Sequence, residues 1–93
     1  MLFHHKLKLM NANWHSVKSG EKSFIVERDA GYQKGDLICF YRHDGENFIL
    51  SDGKTRATSS GADQFERAIA WVYTGEGVEK GYAVLGLQRE ARP

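Results

Sequence analysis

The apolar segments of this chain are short, and glycine-containing turns separate them at intervals of a few residues. Residues 3–10 alternate polar and apolar side chains with the period of two that is typical of a β-strand. This alternation places His5 on the face that carries the leucines, and Lys6 and Lys8 on the opposite face. The β-branched and aromatic composition of strands recurs in residues 23–29, 36–43 and 81–88. The pattern predicts a fold rich in β-structure.

One short helix is predicted between the first two strands. Asn11 or Asn13 can cap its start, and Gly20 can adopt the left-handed conformation that ends a helix. Residues 23–29, which follow, carry apolar side chains on both faces. We therefore expect both faces of this second strand to be covered near its start.

The Asp-Gly pairs at residues 44–45 and 52–53 are typical of hairpin turns and predict a β-meander. The next segment admits two interpretations. Residues 62–68 fit either a helix or a strand, whereas residues 68–73 favour a strand. Uninterrupted alternation, with small and β-branched neighbours, predicts that Trp71 lies in the core.

About six strands and one or two short helices in 93 residues predict an α+β fold. We expect a small mixed β-barrel that occupies residues 1–93 as a single domain, since closure removes exposed sheet edges. The composition, 41% hydrophobic and 27% charged, is that of a soluble globular protein. The longest apolar run, residues 68–73, is too short to span a bilayer, and the first residues lack the apolar block of a signal peptide. The sequence therefore predicts a cytoplasmic protein that does not enter a membrane.

The sequence contains few residues that could ligate a metal or form a disulfide. Cys39 is the single cysteine, which excludes an internal disulfide and a cysteine-rich zinc site. His4 and His5 are neighbours on opposite faces of the first strand, and no His-x-x-x-His pair occurs. We expect neither a metal nor another cofactor.

Positive charge is concentrated at the start of the chain. Residues 1–20 contain Lys6, Lys8 and Lys18 and no acidic residue, a net charge of +3. The remaining residues hold ten basic and twelve acidic groups, a net charge of −2. Such a cluster attracts an anionic partner, although three lysines are also compatible with an ordinary solvated face.

Several short motifs occur in an order that resembles a known family. They are HKLKL, WHSVKSGEKSF, YQKGDLICF, VYTG and KGYAVLGL. This order is similar to that of small prokaryotic and phage domains of unknown function allied to the ASCH (activating signal cointegrator homology) group. That group belongs to the PUA-like superfamily of RNA-binding β-barrels, and the resemblance runs from His5 to about Gln88. It implies a PUA-like barrel whose partner is RNA or a modified nucleoside or nucleotide.

The junction at residues 19–24, SGEKSF, resembles the family's Gly-x-Lys pattern, whose lysine points into the cleft beside the barrel. The resemblance therefore implies that Lys22 is the central residue of a cleft and the candidate for any catalytic role. His5 and Lys8 match the family's His-x-Leu-Lys pattern. We expect the first strand, the helix and the second strand to frame this cleft. The predicted ligand-binding residues are His5, Lys8, Trp14, Lys22, Glu27, Arg28 and Tyr41.

Each of these side chains has a simpler alternative role. In the binding hypothesis the cations contact phosphates, His5 and Glu27 read polar edges, and Trp14 or Tyr41 forms an apolar wall. In the alternative, His5 is a hydrogen-bonded core histidine, Glu27 and Arg28 form a cross-strand ion pair, and the aromatic residues belong to the core. Both interpretations fit the sequence.

Some ASCH-like enzymes hydrolyse an acetylated cytidine nucleoside, and by resemblance they rely on a lysine, a threonine and a glutamate. Lys22 matches the lysine, but Ile25 occupies the threonine position and has no hydroxyl group. We therefore predict that the chain binds RNA or a nucleotide rather than acting as an enzyme. Two alternatives stay open. One is a modified-nucleoside amidohydrolase or RNA-cleaving enzyme centred on Lys22, and the other is a phage-encoded protein that binds a host protein.

Overall fold

Seven strands and one helix lie within residues 2–88, the part of the chain that the computed structural model describes. In chain order they are β1 (His4–Met10), α1 (Asn11–Lys18), β2 (Phe24–Arg28), β3 (Leu37–His43), β4 (Phe48–Ile49), β5 (Arg56–Ala57), β6 (Gln64–Tyr73) and β7 (Tyr82–Leu87). The four predicted strands are confirmed as β1, β2, β3 and β7, each one residue shorter at one or both ends. In the segment that fitted either a helix or a strand, residues 62–68, the structure has a strand from residue 64 onward, because β6 begins at Gln64.

The strands form one sheet in the order β2-β7-β6-β3-β4-β5, and β1 pairs with the remaining edge of β3. The β1–β3 pairing is parallel and the other pairings are antiparallel. The sheet curls into a half-barrel, which confirms a small mixed α+β, barrel-like fold with one short helix. Within residues 2–88, β1 and β2 do not pair with each other. The expected closure is therefore incomplete, and α1 connects the two unjoined edge strands.

The core lies on the concave face of the half-barrel, beneath α1. Trp14 and Val17 project from one side of the helix and are buried against the sheet. Phe40 of β3 and Leu85 of β7 are fully buried on the same face. The Trp14 ring meets the Phe65 ring edge to face, with centroids 4.9 Å apart.

The start of α1 differs from the prediction and its end agrees with it. Met10 is the N-cap residue and makes no side-chain capping bond, whereas Asn11 is already helical. The predicted asparagine cap is wrong, because the Asn11 Oδ1 accepts a 2.8 Å hydrogen bond from Arg42 Nε instead. Gly20 follows the helix with a φ of 86°, as expected of a left-handed residue that ends a helix.

A β-bulge in β6 reverses the predicted orientation of Trp71. The register between β6 and β7 shifts between Ile69 and Trp71, so that one extra residue enters β6. Ile69 is buried, but Trp71 is 47% exposed on the convex face and its ring lies directly over Gly86. The prediction of a core Trp71 is wrong for this reason.

The second strand is covered on its concave face only. Ile25 is buried, whereas Phe24 and Val26 are 43% and 54% exposed. The expectation that both faces of this strand are covered is therefore wrong, because the buried side of α1, with Trp14 and Val17, belongs to the core on the concave face. The convex face of β2 is left open.

The predicted meander is confirmed in β3, β4 and β5. In the first turn, Asp44 Oδ1 accepts two backbone N–H hydrogen bonds of 2.8 and 2.7 Å. In the second, the hydroxyl and backbone N–H of Thr55 hydrogen-bond Asp52, and these bonds lower the pKa of Asp52 to about 2. The two turns hold β4, which carries Phe48, beside the end of β3.

Candidate functional site

A pocket opens on the convex face of the sheet, where β1, β3 and β4 meet. Its volume is about 280 Å³, just below the ~300–1,000 Å³ of ordinary ligand pockets and therefore close to the size of a single small ligand. The pocket is lined by Lys6, Leu7, Lys8, Tyr41, Phe48, Ser59 and Ser60. None of these seven lining residues is acidic.

The parallel pairing of β1 with β3 builds this pocket. It places Lys6 beside Cys39 and Lys8 beside Tyr41, all on the convex face. The Lys8 Nζ lies 5.8 Å from the centroid of the Phe48 ring, at a distance that allows a cation–π contact. Tyr41 meets Phe48 edge to face, with centroids 6.3 Å apart. Two ammonium groups and two aromatic rings are thus collected at one opening.

Tyr41 remains a neutral phenol in this pocket. The Cys39 side chain, followed by burial and the charge of Glu66, raises the pKa of Tyr41 above its usual value. The Cys39 thiol in turn lies 3.4 Å from Gln64 Oε1. A neutral Tyr41 keeps its hydroxyl proton and can donate it to an acceptor on a ligand.

The pocket has the groups needed to hold a small anion attached to a planar ring. Lysine ammonium and serine hydroxyl groups bind phosphate oxygens, and lysine contributes charge besides hydrogen bonds. Tyr41 and Phe48 provide apolar surface for a planar ring. Binding and orientation are the chemistry that these groups supply.

A second polar cluster lies on the concave face around Asp36, which is fully buried. Asp36 Oδ2 accepts hydrogen bonds from His5 Nε2 at 2.8 Å and from the Gln33 backbone N–H at 3.0 Å, and Oδ1 accepts one from the Phe3 backbone at 3.1 Å. The His5 hydrogen bond is the main reason that the pKa of Asp36 is lowered. The His5 ring also packs against Tyr32, with centroids 4.5 Å apart. The cluster ties the start of β1 to the loop before β3.

Glu27 and Tyr32 extend this cluster toward β2. Burial raises the pKa of the half-buried Glu27. Burial also raises the pKa of Tyr32, and the charges of Glu27 and Asp29 add to this effect. His5 is held on one side by a carboxylate and on the other by an aromatic ring, as the core-histidine alternative describes.

The comparison with known families covers the whole sheet. A family model described as a domain of unknown function, DUF3850, matches residues 4–87. The chain belongs to this family. The matched range begins at the first residue of β1 and ends at the last residue of β7. No curated protein matches the chain.

In this DUF3850 domain the seven predicted ligand-binding residues do not share one cleft. Lys8 and Tyr41 line the convex pocket. His5 and Glu27 belong to the concave cluster. Trp14 is fully buried in the core, where no ligand reaches it.

Lys22 and Arg28 lie at the two ends of β2. The Lys22 Nζ is 5.6 Å from the Phe24 ring centroid, and the Arg28 guanidinium is 5.3 Å from the Tyr82 ring centroid. Arg28 and Glu27 are consecutive strand residues and point to opposite faces, so they do not form the ion pair considered as an alternative.

Five pocket residues did not enter the predicted site: Lys6, Leu7, Phe48, Ser59 and Ser60. The alternation of residues 3–10 is a signal that could have found Lys6, because it places Lys6 and Lys8 on one face. No local signal points to Ser59 and Ser60, which lie in a loop far along the chain. Only the folded sheet brings that loop to β1.

Residues 2–88 contain no group of three or more histidine, cysteine, aspartate or glutamate side chains placed to hold a metal ion. The same residues include no helix with both the length and the apolar character needed to cross a membrane.

The concave cluster leads to a prediction about acid stability. Since the folded-state pKa of Asp36 lies below its ordinary value, about 3.9, its ionised form stabilises the fold above that pH. This contribution is lost as the pH falls from about 3.9 through the lower folded-state pKa. The slope of the free energy of unfolding against pH reports how many more protons the unfolded state binds than the folded state. We expect Asp36→Asn to lower this slope in acid by the equivalent of up to about one proton, and to lower the free energy of unfolding at neutral pH.

Urea unfolding at a series of pH values measures this slope. Asp29→Asn is the control, since Asp29 is exposed and its carboxylate accepts a hydrogen bond from the nearby Gly31 backbone N–H, within its own turn. An Asp36→Asn protein with the same pH dependence as the wild type would contradict the prediction.

Proposed function

We propose that this DUF3850 domain binds RNA or a nucleotide-like ligand through the convex pocket between β1, β3 and β4. One observation carries the proposal: a pocket of about 280 Å³ joins two lysines, two serines and two aromatic rings without an acidic lining residue. A nucleotide combines a phosphate with a planar base, and these groups complement both parts.

The fold is consistent with this proposal. We propose that the half-barrel, with one helix linking β1 to β2, is a PUA-like barrel of the ASCH type. The support comes from the motif order between His5 and Gln88 and from the barrel-like curl of the sheet. The resemblance to the PUA-like superfamily, whose members bind RNA, implies the same class of ligand for this chain, and the chemistry of the pocket agrees with it.

In the proposed complex, Lys6 and Lys8 contact phosphate oxygens and give most of the affinity. Tyr41 and Phe48 contact the base, and a base stacked on an aromatic ring adds about 1–3 kcal/mol of binding free energy. The Tyr41 hydroxyl and the serines are available to read polar groups on the ligand.

The salt dependence of binding tests the role of the two lysines. Each phosphate contact of single-stranded RNA adds about 0.7 to the slope of log affinity against log salt. We expect Lys6→Gln with Lys8→Gln to lower this slope by about 1.4, measured by fluorescence anisotropy with labelled oligouridine.

The matched control is Lys34→Gln with Lys54→Gln, which removes the same charge from two exposed lysines outside the pocket. Equal slopes for the two double variants would show that the pocket is not the RNA site. No measurable RNA binding by the wild-type protein would overturn the proposed function itself.

The enzyme alternative has less support. Ile25, at the position where ASCH-like hydrolases carry threonine, is buried in the core and has no group that transfers a proton. The amino group of Lys22 lies beside the Phe24 ring, and Phe24 points to the convex face while Ile25 points to the concave one. These two positions do not form a nucleophile and base pair.

A further inference from the structure

We propose that the convex face of β2, β7 and the end of β6 is a second contact surface, which stacks unpaired bases of single-stranded RNA. We call it the aromatic face, and it consists of Phe24, Val26, Trp71, Tyr73, Tyr82 and Val84. The inference rests on the proposed function for the class of ligand, but the aromatic face shares no residue with the convex pocket.

Strand register arranges the aromatic face in rows. Phe24 and Trp71 flank Gly86 in one row, and Val26 and Tyr73 flank Val84 in the next. Arg28 and Tyr82 form a third row. Neighbouring strands are about 4.8 Å apart and side chains on one face recur about every 7 Å along a strand. The two outer positions of a row are therefore about 10 Å apart, and successive rows about 7 Å apart, on one surface.

The bulge in β6 and the absence of a side chain at Gly86 present Trp71 to solvent. A Cβ at position 86 would collide with the indole ring, so the ring lies against the backbone of β7. One side of the ring thus packs on the sheet, and Trp71 remains 47% exposed. Tyr73, 46% exposed, is also held, because its hydroxyl donates a 2.8 Å hydrogen bond to the Glu76 carbonyl. Fixed rings lose little conformational freedom when a base stacks on them.

The charge of the aromatic face favours a polyanion. Arg28 lies over Tyr82 at 5.3 Å and Lys22 lies beside Phe24 at 5.6 Å, so a cation stands at each end of β2. The outward strand positions of β2, β7 and residues 71–73 include no carboxylate. Aromatic rings interleaved with cations are the surface that binds single strands, since every base has a planar face.

Unpaired RNA fits this surface better than a duplex or an apolar protein segment. A duplex hides the faces of its bases, which are needed for stacking. Two cations beside the rings would lose solvent in an apolar interface, whereas the phosphates of a single strand provide counter-charges. The occupant that satisfies both the rings and the cations is single-stranded nucleic acid.

Intrinsic fluorescence tests the proposal directly, because Trp14 is buried and Trp71 is exposed. We expect oligouridine to quench the emission of the wild-type protein saturably, and Trp71→Leu to abolish that quenching. Loss of one stacked base should weaken binding about 5- to 150-fold in Trp71→Leu. Trp71→Phe should recover most of the affinity, since it restores a ring. Leu50→Ala, an exposed apolar residue on the β4–β5 turn, is the matched control and should bind as the wild type.

Each outcome decides between the two proposals. In one outcome, RNA binding depends on Lys6 and Lys8, does not quench the Trp71 fluorescence and is unchanged in Trp71→Leu. This result would overturn the proposal of the aromatic face and keep that of the pocket. Loss of binding in Trp71→Leu with an unchanged salt slope in the lysine variant would keep the aromatic face and overturn the pocket. A wild-type protein that binds no RNA and forms dimers lost in Trp71→Leu would identify a protein interface and overturn both.

Discussion

Replacing Trp14 with alanine is expected to lower the free energy of unfolding by about 3–5 kcal/mol. The Trp14 side chain is fully buried between α1 and the sheet, against the Phe65 ring and below the Arg42 guanidinium, which lies 5.4 Å from the indole. Its removal leaves a cavity that this small core cannot close. Domains unfold with only about 5–15 kcal/mol, so the variant retains little stability.

Urea unfolding followed by circular dichroism measures this loss, and the chain contains its own control. Trp71→Ala removes the same side chain from the convex face, where it is about half exposed, and should cost about 1 kcal/mol or less. A greater loss for Trp71→Ala than for Trp14→Ala would contradict the arrangement of the two faces.

The second large effect is expected at Arg42, which joins three parts of the fold. Its Nε donates to Asn11 Oδ1 at 2.8 Å, and its Nη1 donates to the Ser51 carbonyl and to Asp63 Oδ2, both at 3.2 Å. Arg42 thus ties the start of α1 to the β4–β5 turn and to the loop before β6. Only 7% of the Arg42 side chain and 16% of the Asp63 side chain are exposed.

We expect Arg42→Met to cost about 3 kcal/mol, the lower end of the range for breaking a buried ion pair, because Asp63 keeps some contact with water. For a domain of this size, each kcal/mol lowers Tm by about 4–8 °C, so the melting temperature should fall by about 12–24 °C.

Thermal unfolding of Arg42→Met and of the control Arg56→Met gives the comparison. Arg56 lies on β5 and is exposed. A difference of only a few degrees between the two variants would mean that the Arg42 hydrogen bonds contribute little to stability.

The candidate pocket could be predicted only in part. The alternation of residues 3–10 places Lys6 and Lys8 on one face, and this follows from the geometry of any strand. That Tyr41 lies beside Lys8 depends on a parallel pairing between segments about thirty residues apart, which no local pattern specifies. The position of the Ser59–Ser60 loop depends on the meander in the same way.

His5 and Asp36 illustrate the same limit on the concave face. The alternation of β1 places His5 among the core-facing leucines, as the structure confirms. The partner that makes its burial favourable is Asp36, which is remote in sequence and lies just before β3. A buried polar group needs such a partner, but the sequence does not say which residue supplies it.

The sequence by itself determined the local structure: the period-two strands, the short helix that ends before Gly20, and the Asp-Gly turns of the meander. These features depend on the φ and ψ preferences and the side-chain periodicity of neighbouring residues. The tertiary structure alone decided which tryptophan is buried. A single extra residue in β6, accommodated by pairing with β7, turned Trp71 outward over Gly86, whereas the packing of α1 against the sheet buries Trp14. Which residues of a strand share one face is a local property of the alternating backbone, but the position of a β-bulge is set by the neighbouring strand with which the bulged strand pairs.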